Sequence, residues 1–135
     1  MWTCPNCHRI FSKSNQPHSC QLVALDSHFK NKAKAKELFD LLLSVVNKKV
    51  GKCQIISLPC CIHLFGHYDF LAVLPKKDKL ELRFALNYIP QSPKITQSVP
   101  LSQKSYKICI DLFNPKDIDQ QILDWLSQSF FIKEK

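Results

Sequence analysis

The sequence contains no apolar run long enough to cross a membrane. Its best stretch, Leu38 to Val46, is interrupted by Asp40 and Ser44 and falls short of the roughly 18 to 20 residues that a span requires. Residues 1–4 show neither the charged region nor the apolar region of a secretory signal. We therefore expect a cytoplasmic protein that does not enter a membrane.

Arginine is also scarce, with only Arg9 and Arg83 among 19 basic residues. Against 11 acidic residues, the basic side chains give a formal net charge of +8, which favours partners such as nucleic acid or an acidic protein surface. Arginine recognises phosphates and bases better than lysine does, so its scarcity weakens the nucleic-acid interpretation without removing it. A lysine-rich background composition is the alternative.

A complete set of disulfides is excluded because the number of cysteines is seven. In a cytoplasmic chain the thiols are expected to be reduced. Buried free cysteine behaves as a small apolar side chain. We therefore interpret four cysteines as packing residues: Cys53, Cys60, Cys61 and Cys109. The alternative is a catalytic cysteine acting with His63 or His67, although neither a helix N-terminus nor an orienting third group is recognisable beside it.

Four potential metal ligands lie within the first twenty residues: Cys4, Cys7, His18 and Cys20. A C-x2-C turn containing proline presents two thiolates to one point. The one-residue spacing of His18 and Cys20 places both side chains on the same side of an extended segment. Four protein ligands fill a tetrahedral zinc, so we predict one structural zinc ion in a knuckle formed by residues 1–21. The alternatives are a redox pair at Cys4 and Cys7, or no metal.

Two helices are predicted in the remaining chain. Apolar residues recur every three to four positions between Phe29 and Val50, which predicts an amphipathic helix that Gly51 ends. A second helix is predicted to begin at Asn114, because asparagine is a common N-cap and Pro115 suits the first helical position.

Alternating or continuous apolar runs between these helices predict five strands, at residues 54–57, 61–65, 70–74, 80–86 and 106–112. Residues 87–103 contain three prolines and are interpreted as a flap, a short edge strand or a mobile binding loop. Two helices covering one face of a mainly antiparallel, four- to five-stranded sheet make an α+β two-layer sandwich, which we expect over residues 22–135.

A second candidate site combines His63, His67 and Asp69 near a predicted turn. These residue types suit a metal site or an acid/base site, but they are also common at surface turns. Together with Glu81 and Arg83 on the next predicted strand, Asp69 is similar to the metal-binding carboxylates and basic residue of restriction-type nucleases. Ordinary alternation along a hairpin also yields charged residues at these positions.

Basic side chains crowd the zinc segment and the predicted start of the first helix: Arg9, Lys13, Lys30, Lys32, Lys34 and Lys36. Positive charge in the first turns of a helix is unfavourable by about 0.3 to 1 kcal/mol per residue. A bound phosphate backbone would offset that cost, so we consider these six residues a candidate nucleic-acid surface. A solvated helix face in a lysine-rich chain is the alternative.

The segments Trp2-Thr3-Cys4-Pro5-Asn6-Cys7 and Asn15-Gln16-Pro17-His18-Ser19-Cys20 resemble the amino-terminal signature of domain-of-unknown-function family 5655. The similarity continues at Asp26-Ser27-His28-Phe29, at Ser105-Tyr106 and at Leu123-Asp124-Trp125-Leu126, and so extends over nearly the whole chain. The family has no established activity. The resemblance therefore implies a fold and a metal segment rather than a reaction.

The sequence favours a non-catalytic binding module that recognises nucleic acid through its basic surface. This interpretation rests on the closed zinc coordination, the net charge and the lack of a convincing catalytic group. One alternative is a protein-interaction adaptor that uses residues 87–103. Another is a metal-dependent hydrolase or nuclease that uses His63, His67, Asp69 and Glu81. No small-molecule cofactor is indicated.

Salt-dependent binding tests the nucleic-acid interpretation. Binding of labelled DNA or RNA, measured by fluorescence anisotropy, is expected to weaken steeply with added salt because phosphate contacts release counterions. A variant in which Lys30, Lys32, Lys34 and Lys36 are all replaced by glutamine is expected to lose that binding. Absence of binding by the unaltered protein at low salt would contradict the interpretation.

Overall fold

A computed structural model describes residues 2–5, 10–11, 13–15, 22–66 and 69–131. Within these ranges the chain forms two helices and a six-stranded antiparallel sheet, which confirms the α+β class and raises the strand count above the four or five expected. In chain order the elements are β1 (Trp2–Thr3), β2 (Ile10–Phe11), α1 (Ala33–Lys49), β3 (Gln54–Ser57), β4 (Ile62–Phe65), β5 (Asp69–Pro75), β6 (Leu80–Leu86), β7 (Ile95–Ser102), β8 (Ser105–Leu112) and α2 (Gln120–Phe131).

The six strands of the main sheet follow the order β3-β4-β5-β6-β8-β7, while β1 and β2 form a separate two-stranded ribbon. Each of the five predicted strands is present, and the sixth, β7, comes from the proline-rich segment 87–103. Of the three interpretations of that segment, the edge strand is therefore confirmed for residues 95–102. Pro100 lies within β7, where a missing backbone donor is tolerated because one side of an edge strand needs no partner.

The first helix begins at Ala33, later than the predicted start at Phe29. Residues Leu25–Phe29 form a short 3-10 helix instead, and Asn31 adopts a left-handed conformation with φ of 58°. A left-handed residue cannot continue a right-handed helix, so the chain changes direction there before α1 starts. As a result, only two of the four clustered lysines, Lys34 and Lys36, lie inside α1.

The predicted start of the second helix is a separate 3-10 turn. At this turn the Asp117 Oδ2 accepts hydrogen bonds from the backbone N–H groups of Phe113, at 2.8 Å, and Asn114, at 3.0 Å. The helix α2 proper begins at Gln120, and Asp119 caps it because its Oδ1 accepts from the Ile122 N–H at 3.0 Å. The sequence therefore predicted the second helix correctly but placed its start too early, at Asn114 rather than Gln120.

The two helices pack on the same face of the sheet and form one core with it. Positions along β6 alternate between buried and half-buried, as the sequence predicts, and the buried apolar set meets both helices. No helix in the described parts of the chain covers the opposite face, which we call the open face. Within the same ranges, no helix is long and apolar enough to cross a membrane.

Both glycines of the chain lie against the ring of Phe130 near the end of α2. A β-carbon on Gly66 would come within 2.2 Å of the ring, and one on Gly51 within 2.7 Å. The first helix ends at Lys49, two residues before Gly51, close to the end that the sequence predicts, and neither glycine has a positive φ. The role of Gly51 is to let the aromatic ring approach the backbone closely.

Replacing Gly66 by alanine tests this contact. The added β-carbon would overlap a ring that is already packed, so we expect the free energy of unfolding to fall by about 1 to 3 kcal/mol, as in other overpacked cores. Urea denaturation provides the measurement.

A double-mutant cycle provides the control for that prediction. Phe130→Leu opens space at the same point, so the cost of Gly66→Ala is expected to be smaller in the Phe130→Leu background than in the unaltered protein. Equal costs in the two backgrounds would show that the ring does not limit the substitution.

Candidate metal centre

A tight connection between β3 and β4 presents the two adjacent cysteines. The Leu58 N–H donates to the Cys61 carbonyl at 3.0 Å, which leaves Pro59 and Cys60 as a two-residue loop. Proline suits the first position of such a turn because its ring fixes φ. Cys60 is therefore exposed at the tip of the hairpin, and Cys61 lies at its base, just before β4.

Strand alternation then brings Cys61 and His63 together. Ile62 and Leu64 of β4 face the core, so His63 points to the open face, two positions from Cys61. The Cys61 Sγ lies 3.0 Å from the His63 Nε2, and the Cys60 Sγ lies 3.1 Å from the Cys61 Sγ. Three metal-binding side chains thus converge on one point.

Asp69 approaches the other side of the same imidazole. The pairing of β4 and β5 shifts register between Leu64 and Phe65, so that Phe65 lies opposite Asp69 at the start of β5. This brings the Asp69 Oδ2 to 2.6 Å from the His63 Nδ1. Despite the short distance, the approach is too oblique for a hydrogen bond, and the buried Nδ1 has no such partner in the described parts of the chain.

These contacts favour the histidine tautomer that a metal ligand needs. With its proton on Nδ1, facing the Asp69 carboxylate, His63 keeps the lone pair of Nε2 directed at the thiols. An outer carboxylate that orients a ligating histidine in this way is a recurrent feature of metal sites.

The donor set suits a soft or borderline cation. The two sulfurs and one imidazole nitrogen all lie within 4.8 Å of one another. In a tetrahedral zinc site the ligand atoms are separated by about 3.5 to 3.7 Å. The Cys60–Cys61 and Cys61–His63 contacts, at 3.1 and 3.0 Å, would therefore each have to lengthen by about half an ångström to admit the ion.

Charged side chains continue across the open face beside this cluster. Across the paired strands β4, β5, β6 and β8, His63 lies opposite Ala72, Ala72 lies opposite Arg83, and Arg83 lies opposite Cys109. The small Ala72 side chain separates the imidazole from the guanidinium. Arg83 Nε donates to Glu81 at 2.5 Å, a contact that raises the pKa of Arg83.

The buried thiols are held in the neutral form. Burial is the main cause that raises the pKa of Cys61 to about 12, and the hydrogen bond with Cys60 adds to it. Burial also raises the pKa of Cys109, whereas the positive charges of Lys107 and Arg83 oppose the shift. A metal ion would displace the Cys61 proton, because the thiolate is the form that binds metal.

The residues predicted to bind the amino-terminal zinc lie mainly outside the described residues. Cys7, His18 and Cys20 are not among them, whereas Cys4 follows β1 directly and is only 3% exposed. The strands β1 and β2 pair antiparallel on either side of the C-x2-C sequence. The zinc at this segment remains a prediction.

The predicted nucleic-acid residues are partly engaged within the domain. The Lys32 Nζ donates to the Pro75 carbonyl at 3.1 Å, and the Lys36 Nζ pairs with Asp40 at 2.8 Å. The exposed members of the set are Lys13, Lys30 and Lys34. Arg9 lies outside the described residues. Two of the four clustered lysines therefore contact groups of their own chain.

The sequence identified half of the central cluster. It named His63 and Asp69 as a candidate pair, and the structure places them in contact; His67 lies outside the described residues. The interpretation of Cys60 as a packing residue was wrong, because its side chain is exposed. A signal was present in the alternation of Cys61 and His63 along one strand, directly after a proline turn.

Comparisons with known proteins identify a family but no activity. Residues 25–133 match the family described as Domain of unknown function (DUF5655). The match begins after the cysteine-rich segment and includes the whole candidate metal centre. No curated protein and no solved structure is significantly similar to the chain.

Thiol labelling tests the contrast between the adjacent cysteines. In metal-free protein at pH 8, iodoacetamide is expected to modify Cys60 at least about tenfold faster than Cys61. A group with a raised pKa stays protonated below that pKa, and Cys61 is also only 8% exposed. Fragmentation mass spectrometry of the peptide that contains both residues measures the two rates. The urea-unfolded protein, in which the rates should converge, is the control, and equal rates in the native protein would contradict the assignment.

Proposed function

Because the chain belongs to the DUF5655 family of domains of unknown function, its activity has to be inferred from its own residues, and we propose that it is a zinc-binding domain with a metal centre of the catalytic kind. The observation that carries the proposal is the convergence of Cys60, Cys61 and His63, whose ligand atoms lie within 4.8 Å of one another. Two sulfurs and one imidazole nitrogen match the ligand preferences of zinc.

The number of protein ligands distinguishes this centre from the one predicted at the amino terminus. Structural zinc is held by four protein ligands, whereas catalytic zinc is held by three and keeps one position for water or substrate. The nearest carboxylate, Asp69, already faces the His63 Nδ1 and acts as the outer partner of that ligand. Among the residues that the structure describes, no fourth ligand joins the cluster, so the remaining position of a bound metal would be left for a water molecule.

A zinc ion in such a site supports hydrolysis. It lowers the pKa of a bound water to near neutrality and polarises the oxygen of a substrate. The Arg83 guanidinium lies on the same face, two strands away from His63, where it forms an ion pair with Glu81. This arrangement favours the metal-dependent hydrolase among the functions that the sequence left open.

A second candidate is a thiol enzyme, because Cys61, His63 and Asp69 also contact one another in the order of a nucleophile, a base and an orienting acid. The neutral, buried state of Cys61 counts against it, since the nucleophile must be a thiolate. Nucleic-acid binding through the lysines remains a prediction, tested by the salt dependence described above.

Zinc binding is best measured in a Cys7→Ser/Cys20→Ser background, in which the predicted amino-terminal site cannot form. We expect this protein to bind one zinc ion, and the additional change Cys60→Ser or His63→Ala to abolish that binding, because each removes one of three ligands. Asp69→Asn is expected to weaken zinc binding by about tenfold to a hundredfold, the range found for outer partners of ligands. Competition with a chromophoric chelator provides both stoichiometry and affinity.

Cys53→Ser is the matched control for the ligand variants. Cys53 lies outside the cluster, and a serine can keep its hydrogen bond to the Asn47 side chain, which the thiol makes at 3.3 Å. Zinc affinity should therefore be unchanged in this variant. Retention of one tightly bound ion by both Cys60→Ser and His63→Ala would rule out the proposed centre.

A further inference from the structure

A cleft of about 480 Å³ opens next to the candidate metal centre. It lies between the 3-10 helix before α1, the β3–β4 hairpin loop and the end of β5. Cys60 belongs to both features, because it lines the cleft and its Sγ also lies 3.1 Å from the Cys61 Sγ. A ligand in the cleft would therefore lie beside a metal held by Cys60.

The charged part of the cleft lining is cationic. Lys32 and Lys76 line the cleft, and no acidic side chain does so among the described residues. The Lys32 ammonium is held in place by its hydrogen bond to the Pro75 carbonyl at 3.1 Å, which leaves its other two N–H donors for a ligand. Lys76 is exposed at the rim. Two ammonium groups without a lining carboxylate favour an anion with several acceptor oxygens.

His28 adds an unused hydrogen-bonding group to the cleft lining. Its Nε2 is buried and has no hydrogen-bond partner in the described parts of the chain. Burial is the main cause that lowers the pKa of His28. A hydrogen bond to the Leu58 backbone opposes this shift, and the charge of Lys32 adds to it. A buried polar atom without a partner is uncommon, and a bound polar ligand is one way to satisfy it.

The cleft also has apolar lining residues, and it is larger than a lone anion requires. The apolar side chains of Val23, Pro59 and Leu74 contribute to the lining. The volume falls within the range of about 300 to 1,000 Å³ typical of sites for small organic molecules. The cleft thus suits a ligand with an anionic head and an apolar body.

We propose that the cleft is the substrate subsite of the metal centre and binds a small phosphomonoester, with the phosphate between Lys32 and Lys76 and the organic group against Val23 and Leu74. A phosphomonoester combines a doubly charged head that matches two ammonium groups with an ester oxygen that a zinc ion at Cys60 can approach. The inference rests on the proposed function for the role of the metal. The binding of the phosphate by the two lysines is independent of it.

Phenyl phosphate is a suitable probe because it joins a phosphate to one apolar ring. Titration into 15N-labelled protein, first zinc-free and then zinc-loaded, is expected to shift the backbone amide signals of residues 23–32, Leu74 and Lys76. Lys76→Gln should weaken binding by about fivefold or more, since it removes one charged contact. Lys77→Gln is the matched control: Lys77 is exposed in the same hairpin but does not line the cleft, so its loss should change the affinity less than twofold.

Two further probes define the ligand class. Benzoate carries one negative charge on a similar ring, and inorganic phosphate carries the head without the ring; both are expected to bind more weakly than phenyl phosphate. If benzoate binds as tightly as phenyl phosphate, the phosphate assignment is wrong. If inorganic phosphate binds as tightly as phenyl phosphate, the apolar lining residues are not part of the site. Signal shifts confined to residues outside the cleft, or equal effects of Lys76→Gln and Lys77→Gln, would overturn the subsite itself.

The zinc-free and zinc-loaded arms separate this inference from the proposed function. A gain in phenyl phosphate affinity on zinc loading, absent in Cys60→Ser, would support the link between the cleft and the metal. Cleft binding that zinc does not strengthen would overturn that link. Zinc uptake is measured before any phosphate is added, and failure to take up zinc would refute the metal centre. The lysine variants would then still decide whether the cleft binds phosphate.

Discussion

The packing of the Phe130 ring against two glycine backbones is the contact on which the rest of the domain depends. Gly51 follows α1 and Gly66 follows β4, and both lie closer to the ring than a β-carbon would allow. The same ring meets Phe70 edge-on, with the ring centroids 5.0 Å apart, and the adjacent Ser129 hydroxyl donates to the Phe70 carbonyl at 2.8 Å. The last turn of α2 therefore joins the end of α1 to the connection between β4 and β5.

The start of β5 also positions the candidate metal centre, which lies on the opposite face of the sheet from α2. Phe70 packs in the core under α2, while the preceding residue, Asp69, reaches His63 on the open face. The register shift between Leu64 and Phe65 makes this possible, because it changes which residues of β4 and β5 lie opposite each other. His63 and Asp69 are thus held by paired strands and a packed helix, and rigid elements of this kind keep side chains in place more precisely than loops do.

Much of the fold could be predicted because burial imposes a period on the sequence. The alternation of β6 and the helical spacing of α1 each place apolar residues on a single face, and the structure buries those residues. The exact helix starts could not be predicted, since Asn31 and Asp117 produce turns that depend on local backbone geometry. The strand β7 was ambiguous for a related reason: an edge strand is half exposed, so its sequence pattern is weak.

The sequence by itself determined the residue types available for chemistry, the α+β class and the apolar face of each major element, because these follow from composition and from the periods of helix and strand. Only the tertiary structure decided which of those residues meet. Cys60, Cys61 and His63 come together through a two-residue hairpin loop, and Asp69 joins them through a register shift stabilised by Phe130 on the other side of the sheet. The alternation of Cys61 and His63 is visible in the sequence, but the contact between His63 and Asp69 arises from pairing between separate strands, which no local pattern in the chain encodes.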